Sequence, residues 1–315
     1  MSNIWDKTID IKEALVSELI SSQFKLKASV IKSLGEGYDN SAFLVNDKFV
    51  FRFVHREQLS PTCMANEITL LPYLFEHLSF PLPNLSMIGQ PTAIYPFQFA
   101  GYEILTGELL TEHQAPLVED PEFATILGAW LKELHALPIL STHESLIQGE
   151  HDWRLDVVHR TQRVLETIKQ YRQYFIDAGF EPEMLIKKMD FFRDLNVDQS
   201  KECYVHGDLY AKHILVKENG LPAGLIDWGD VHIGHPATDL SIGLMIFNET
   251  SLKCFFNAYT NYNKDMIDIE LFRAFFHPIL SLPYFAQIGE TTTSNWIKAA
   301  LDNAIRLIDQ KESIF

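Results

Sequence analysis

"VHGDLYAKHILV" (residues 205–216) and "LIDWGD" (225–230) crowd Asp208, Asp227 and Asp230 with His206 and His213 among aliphatic residues. Tyr204-Val205, Ile214-Leu215-Val216 and Gly224-Leu225-Ile226 read as short buried strands. Charged groups beside such strands are costly unless they are paired, hydrated or bound to metal. The span is therefore either a site or a set of polar turns. Asp208 closes the first strand two residues after His206, and His213 and Asp227 lie five and nineteen residues beyond it. A carboxylate at a strand end suits the task of orienting a substrate hydroxyl and taking its proton late. Asp227 lies between a strand and the turn residue Gly229, where it suits a hard cation such as Mg2+, which prefers carboxylate oxygen. Aspartates also cap turns, but two of them ending successive short strands make that the weaker account.

Upstream, "VIKSLGEGYDNSAFLVNDKFVFRFV" changes character. "SAFLV" and "KFVFRFV" are β-rich, and the turn pair Asn46-Asp47 joins them into a hairpin. Gly35 and Gly37 precede it in a loop whose amides can approach an anion because no Cβ intervenes. Arg52 is a cation on a strand among aromatics and valines, so it needs a partner, and Glu67 on the next helix is the candidate. The alternatives are an ordinary hairpin turn for the glycines and an edge-strand arginine at the surface.

Elsewhere, residues 10–21 are expected as a helix striped by Ile11, Leu15, Leu19 and Ile20. The helix around "ANEITLLPYLFEHL" is expected to kink or stop at Pro72. A proline-rich stretch around 79–91 reads as irregular, and the strand-like 92–110 reads as interrupted at Gly101 and Gly107. Phe123, Ile126, Leu127, Trp130, Leu131 and Leu134 carry the clearest amphipathic helical spacing, and the chain beyond them is mostly helical in pattern. The fold class expected is α+β in two lobes. Residues 1–104 form a small β-rich nucleotide-binding lobe, and 105–315 a larger helical lobe for catalysis and substrate binding.

The chain of 315 residues carries a net charge of −16. Residues 1–100 hold 8 Lys+Arg and 10 Asp+Glu, which leaves 18 and 32 of the totals for residues 101–315, a balance of −14 there. Such a field disfavours nucleic acid, whose phosphates demand basic clusters, and attracts cationic small molecules. Three scattered cysteines without a CxxC pair argue against a zinc ribbon or disulfide framework and point to the cytoplasm. No apolar run approaches the roughly 18 residues of a membrane span, and no secretory signal is visible.

"HGDLYAKHILV", "GLIDWGD" and "PATDL", in that order and spacing, resemble the motif set of the aminoglycoside phosphotransferase family, most closely its macrolide phosphotransferase branch. "LGEGYDN", "FVFRF" and "NEITLL" are similar to that family's glycine loop, phosphate-contacting cation and helix glutamate. The resemblance spans roughly residues 30–245 and implies a protein-kinase-like fold. It makes Asp208 the catalytic base, Asp227 the main Mg2+ ligand and Arg52 the phosphate contact held by Glu67. Gly35, Gly37 and Asn40 would lie on the nucleotide. Residues 102–107 would be the hinge, with Tyr102, Glu103, Ile104 and Leu105 beside the base. His206 and Asp239 would be structural.

Two departures stand out. His213 replaces the usual asparagine metal ligand, and imidazole is a poorer ligand for Mg2+ than a carbonyl oxygen. Arg52 replaces the commoner lysine, keeping the charge but changing the donor geometry.

The resemblance implies a small-molecule kinase using GTP or ATP, with a lean to GTP because Tyr102 would stand near the gatekeeper position. The acceptor would be a hydroxyl of an aminoglycoside, macrolide or metabolite. Only six residues separate Gly229 from Pro236, too few for the long activation loop of a protein kinase. Three other readings remain open. One is a nucleotide-binding scaffold without turnover. Another is a metal hydrolase built on His206, Asp208, His213, Asp227, His232 and His235. In the third, "HIGH" (232–235) is simply a surface loop. The aromatic-rich 271–289 either lines an acceptor pocket or forms core.

Overall fold

The computed structural model describes residues 7–37, 39–57, 60–113, 115–143, 153–198, 202–260 and 266–314. The chain divides into two compact units, one of residues 1–106 with 225–231, the other of residues 107–224 with 232–315. Linear order alone does not place residues 225–231 with the first unit.

In the first unit, helix α1 (Glu13–Gln23) precedes strands β1 (Ile31–Glu36), β2 (Asn40–Val45) and β3 (Phe49–Val54). Helix α2 (Ser60–His77) and strands β4 (Met87–Gly89) and β5 (Phe99–Glu103) come next. The strands form one antiparallel sheet in the order β1-β2-β3-β5-β4. Asn46 and Asp47 turn the β2–β3 hairpin with φ of 54° and 53°, a left-handed region that Asn and Asp tolerate better than other side chains.

Strand alternation then sorts the side chains. Phe43, Phe51, Phe53 and Phe99 share a buried cluster with Val16, Leu19 and Ile20 of α1, and the Phe53 and Phe99 rings stack at 4.7 Å. Arg52 is paired with Ala42 and Ala100, and Val50 with Tyr102, so these residues share the opposite face. The aromatics that surround Arg52 in the sequence are thus not its neighbours in space.

Four expectations shift here. Gly101 does not interrupt β5 but lies inside it, because a Cβ at this position would come 2.4 Å from the Phe51 ring. Helix α2 is continuous through Pro72, which leaves the Ile68 carbonyl without its i+4 donor but does not end the helix. The proline-rich stretch contributes β4 at the sheet edge. Helix α1 starts at Glu13, later than expected, and Ile11 is buried just ahead of it.

The second unit opens with β6 (Glu108–Leu109), α3 (Leu110–His113) and α4 (Pro121–His135). Then come α5 (Val157–Gln170), α6 (Arg172–Asp177), α7 (Pro182–Met189), β7 (Cys203–Val205), β8 (Ile214–Val216) and β9 (Pro222–Leu225). It closes with β10 (His232–Gly234), α8 (Ala237–Ile246), α9 (Glu249–Tyr259), α10 (Ile267–Gln287) and α11 (Thr291–Ile314). Strand β10 pairs antiparallel with β7, and β8 lies between β6 and β9.

Asp120 caps α4 by accepting from the Glu122 and Phe123 amides at 2.8 and 3.3 Å, and Pro121 occupies its first turn. Phe123, Leu127, Leu131 and Leu134 are buried along it, as their spacing requires. At Gly128 an added Cβ would come 2.3 Å from the Phe255 carbonyl oxygen, so α4 and α9 meet backbone to backbone. Backbone cannot rotate away as a side chain can. Gly128→Ala is therefore expected to cost about 1–3 kcal/mol, as overpacking does, measured by the urea midpoint. A loss below about 0.5 kcal/mol, the scale of a surface change, would show that the two helices part freely.

Phe272, Phe275 and Phe276 of α10 are fully buried, which makes them core rather than pocket lining. Among the described residues no helix is long and apolar enough to cross a membrane.

Candidate functional site

In the first unit, β3 carries Arg52, 6% exposed, across to α2, where Glu67 is fully buried. Arg52 Nη1 donates to Glu67 Oε1 at 2.5 Å and Nη2 to Asp227 Oδ1 at 2.5 Å. One guanidinium fork thus joins two carboxylates that lie 160 residues apart in sequence. Burial would lower the Arg52 pKa, but the charges of Glu67 and Asp227 outweigh it, so the guanidinium stays protonated. Burial pushes the Glu67 carboxyl up to about 7 against the pull of Arg52. Asp227 differs from Glu67 in being 43% exposed at its side chain. Its φ of 61° is unusual for a residue with a Cβ and bends the chain at the end of "LID". Gly229 lies so near that an added Cβ would stand 2.9 Å from Arg52 Nη2.

Space is open beside Gly35 at the end of β1, where the sequence expects anion contacts. Gly35 has φ of 130°, sits at a register shift in β1, and has nothing within 4 Å of where a Cβ would be. The Gly37 amide donates to the Asn40 carbonyl at 2.9 Å. Asn40 is 7% exposed, and its side-chain oxygen has no partner among the described residues. Tyr38 of the same motif lies outside the described residues.

At the end of β5, the Ile104 amide donates to the Lys48 carbonyl at 2.8 Å. Antiparallel alternation then turns the Glu103 carbonyl and the Leu105 amide away from β3. Strand β4 pairs with β5 only from Gly101 back to Phe99 and does not extend to these two residues. The Ile104 amide is itself committed to the sheet. Tyr102 is 6% exposed, and burial pushes its phenol well above the ordinary range.

In the second unit the strand-end segment after β7 is held from below by Asp239 of α8. This fully buried carboxylate accepts from the His206 amide at 2.7 Å and the Gly207 amide at 3.0 Å. Its third partner is His135 Nε2 at 3.2 Å, and His135 Nδ1 accepts from the Tyr259 hydroxyl at 3.0 Å. Burial alone would raise Asp239. The His135 contact, the charge of His206 and the His206 amide outweigh it and hold the carboxyl below its usual value. Gly207 takes φ of 87°, which turns the chain just before Asp208.

Asp208 is 32% exposed at its side chain. Oδ1 accepts from His277 Nε2 at 3.1 Å, and Arg273 Nη2 stands 3.6 Å away. Burial would raise its pKa, but the His277 hydrogen bond and the nearby His277, His213 and Arg273 hold it well below the carboxylate range. His213 Nδ1 lies 2.7 Å from the Asp208 carbonyl. A carbonyl only accepts, so Nδ1 carries a proton, and in the neutral ring Nε2 is the nitrogen left with a lone pair.

His232 and His235 correct the surface-loop reading of "HIGH". His232 is fully buried in β10 opposite Val205, and His235 is 2% exposed with Nδ1 accepting from the Ala237 amide at 3.1 Å. Among the described residues, no group of three or more His, Cys, Asp and Glu forms a metal-binding set, so the hydrolase cluster does not assemble.

Sequence reading missed Arg273 and His277. Their signal was there: two polar residues four apart in "LFRAFFHPIL", an otherwise apolar helix, fall on one face.

Comparison with known proteins bears on this arrangement. The protein YcbJ of Bacillus subtilis (strain 168), itself uncharacterized, is 42% identical over 216 residues. That stretch covers 64% of this chain and 64% of YcbJ. Among solved structures, the GDP complex of wild-type aminoglycoside 2'-phosphotransferase-IIIa superposes with a TM-score of 0.66 at 21% identity, covering 96% of this chain and all of that one. Macrolide 2'-phosphotransferase type I gives 0.60 at 20% identity, covering 92% and 98%. Both likenesses are of fold, with the small antiparallel sheet and larger helical part of the kinase-like class. The model of the phosphotransferase enzyme family (APH) matches residues 30–270, and the chain belongs to that family.

Proposed function

We propose that this protein transfers the γ-phosphoryl group of a nucleoside triphosphate to a hydroxyl of a small molecule. The observation that carries the reading is Arg52, a buried cation shared between the enclosed Glu67 and the partly exposed Asp227. A phosphate contact must keep its charge in a buried place, and Glu67 makes that possible. Asp227 offers carboxylate oxygen to a hard divalent cation, which fits Mg2+. His213 Nε2 is a softer donor and a weaker fit. When bound, Mg2+ neutralises phosphate charge.

Gly35, Gly37 and Asn40 would take the phosphate side of the nucleotide. The Glu103 carbonyl and Leu105 amide would take the base edge, with Tyr102 behind them. Asp208 is well ionised and therefore a weak base. It would orient the acceptor hydroxyl and accept its proton only as the new O–P bond forms. The aminoglycoside and macrolide enzymes of like fold suggest acceptors of those kinds. The −14 balance of residues 101–315 favours a cationic one. One neighbour carries GDP and another ADP, so it is the bulk of Tyr102 that favours GTP over ATP. No disulfide joins the three cysteines, which suits a reducing cytoplasm.

The test is mass-spectrometric detection of phosphorylated product. Mg2+ with ATP and with GTP would each be offered against aminoglycosides, macrolides, sugars and amino alcohols. A product under either nucleotide establishes donor and acceptor together. Bound nucleotide without product from any acceptor would instead favour a scaffold.

Glu67→Gln probes the cation directly. It keeps an acceptor for Arg52 but removes the charge, so Arg52 is drawn toward Asp227 and competes with the metal. Mg2+-nucleotide affinity is expected to fall about tenfold, or roughly 1.4 kcal/mol, by titration calorimetry. Unchanged affinity would remove Arg52 from the nucleotide site.

A further inference from the structure

We propose that His277 is a positioning residue for Asp208, its Nε2–H fixing Oδ1 so that Oδ2 is left to engage the acceptor hydroxyl. The proposal rests on the phosphotransfer reading of Asp208. His277 lies on α10, 69 residues from Asp208 in sequence, and its side chain is only 10% exposed. Among the described residues it is the hydrogen-bond donor to the Asp208 side chain. Arg273, one turn earlier, stands 3.6 Å from Oδ1, beyond hydrogen-bond range. Two of its five N–H donors go to backbone: Nε to the Thr238 carbonyl at 3.1 Å and Nη2 to the Gly207 carbonyl at 3.2 Å. His213 gives Nδ1 to the Asp208 carbonyl and stays 4.0 Å from Oδ2.

The same geometry decides the tautomer. His277 Nδ1 is buried and has no partner among the described residues. If the proton sat on Nδ1, a buried N–H would go unsatisfied and the Nε2 lone pair would face a carboxylate oxygen. Both are unfavourable. With the proton on Nε2 the donor is used, and one unpaired acceptor is left instead of an unpaired donor and a lone pair against a carboxylate. A second proton would again leave an unsatisfied N–H, next to the charge of Arg273. Burial and the charges of Arg273 and Arg160 accordingly hold the His277 pKa below its ordinary value despite the nearby Asp208 carboxylate.

Backbone contacts steady this arrangement on both sides. The Ser281 hydroxyl donates to the His277 carbonyl at 2.8 Å, and Arg273 ties α10 to Gly207, the residue before Asp208. A carboxylate with one oxygen fixed loses its freedom to rotate. That freedom is what an orienting base must give up before the reaction rather than during it.

Glutamine can place an amide N–H near the position of Nε2, whereas asparagine reaches only as far as Nδ1. The experiment compares His277→Gln, His277→Asn and His277→Leu with wild type in kcat and in KM for nucleotide and acceptor. His277→Gln is expected to keep kcat within about tenfold of wild type. Asparagine and leucine should lower kcat by about 100-fold, the scale of a small misplacement of a reacting group, with each KM nearly unchanged. Equal kcat in the glutamine and asparagine variants, whether high or low, overturns the proposal. That comparison stands even if the leucine variant fails to fold.

Long-range 1H–15N imidazole spectra of the wild-type protein give a readout that needs no substrate. They should show His277 protonated at Nε2, and a proton at Nδ1 sinks the idea. If wild type transfers phosphate to nothing while the Nε2–H signal is present, the phosphotransfer reading fails and the hydrogen bond does not.

Discussion

Asp208→Asn is expected to lower the rate of the proposed phosphoryl transfer by about a thousandfold, within the range for loss of a positioned general base, and to leave Mg2+-nucleotide binding within threefold. The variant is nearly isosteric. Its amide oxygen can still accept from His277 Nε2, and the segment before it is still held by Asp239 through the His206 and Gly207 amides. What it loses is the charge that aligns the hydroxyl and the capacity to accept its proton. The side chains proposed to contact phosphate and metal, Arg52 and Asp227, belong to the other unit of the chain and are untouched. Single-turnover product formation and calorimetric nucleotide affinity read the two effects separately. A variant that keeps more than a tenth of the wild-type rate would remove Asp208 from the chemistry. A variant that also loses nucleotide would make it a ligand rather than a base.

Asp239→Ala should be the most damaging of the stability changes. Asp239 is fully buried and satisfies two backbone amides and His135 together. Truncation leaves two buried N–H groups and an imidazole without their acceptor. Breaking a buried, hydrogen-bonded charge of this kind costs about 3–5 kcal/mol, a large share of a domain's whole stability. The urea midpoint of unfolding is the measurement, and a loss under about 1 kcal/mol, no more than an ordinary substitution costs, would mean that water replaces the carboxylate.

The sign with pH is definite. The folded carboxyl is held below its ordinary value, so its contribution is fully present above the unfolded pKa and disappears only as pH falls through the folded one. Near neutrality the deficit of the variant should therefore be flat with pH.

How much of this was written legibly in the chain depends on the distance over which each feature is decided. The β2–β3 hairpin is local: Asn46 and Asp47 accept left-handed backbone, and alternation does the rest. Helix α4 announces itself through Asp120, Pro121 and its apolar stripe. The Arg52–Glu67 pair could be anticipated because a strand cation among apolar neighbours needs an anion. The third member, Asp227, could be named but not placed beside them, since nothing in sequence spacing reveals that residues 225–231 belong with the first unit. Gly101 was misread because its reason is the Phe51 ring on the neighbouring strand. His232 was misread because a histidine looks polar in sequence, while its place opposite Val205 buries it. Arg273 and His277 were hidden by the 65 and 69 residues that separate them from Asp208.

The insertion of residues 225–231 into the first unit also has a consequence for biosynthesis. Trp228 is fully buried, the Leu225 amide donates to the Pro81 carbonyl at 3.0 Å, and Asp227 completes the partners of Arg52. None of these exists when the ribosome has finished residue 106. At roughly 5–20 residues per second, the missing strip arrives on the order of ten seconds later, after the 118 residues of 107–224 have emerged. Until then the nascent first unit holds Arg52 with one carboxylate instead of two and lacks one of its largest core side chains. Its completion is therefore tied to translation of the second unit, and a fragment ending at residue 106 is not equivalent to the first unit of the finished protein.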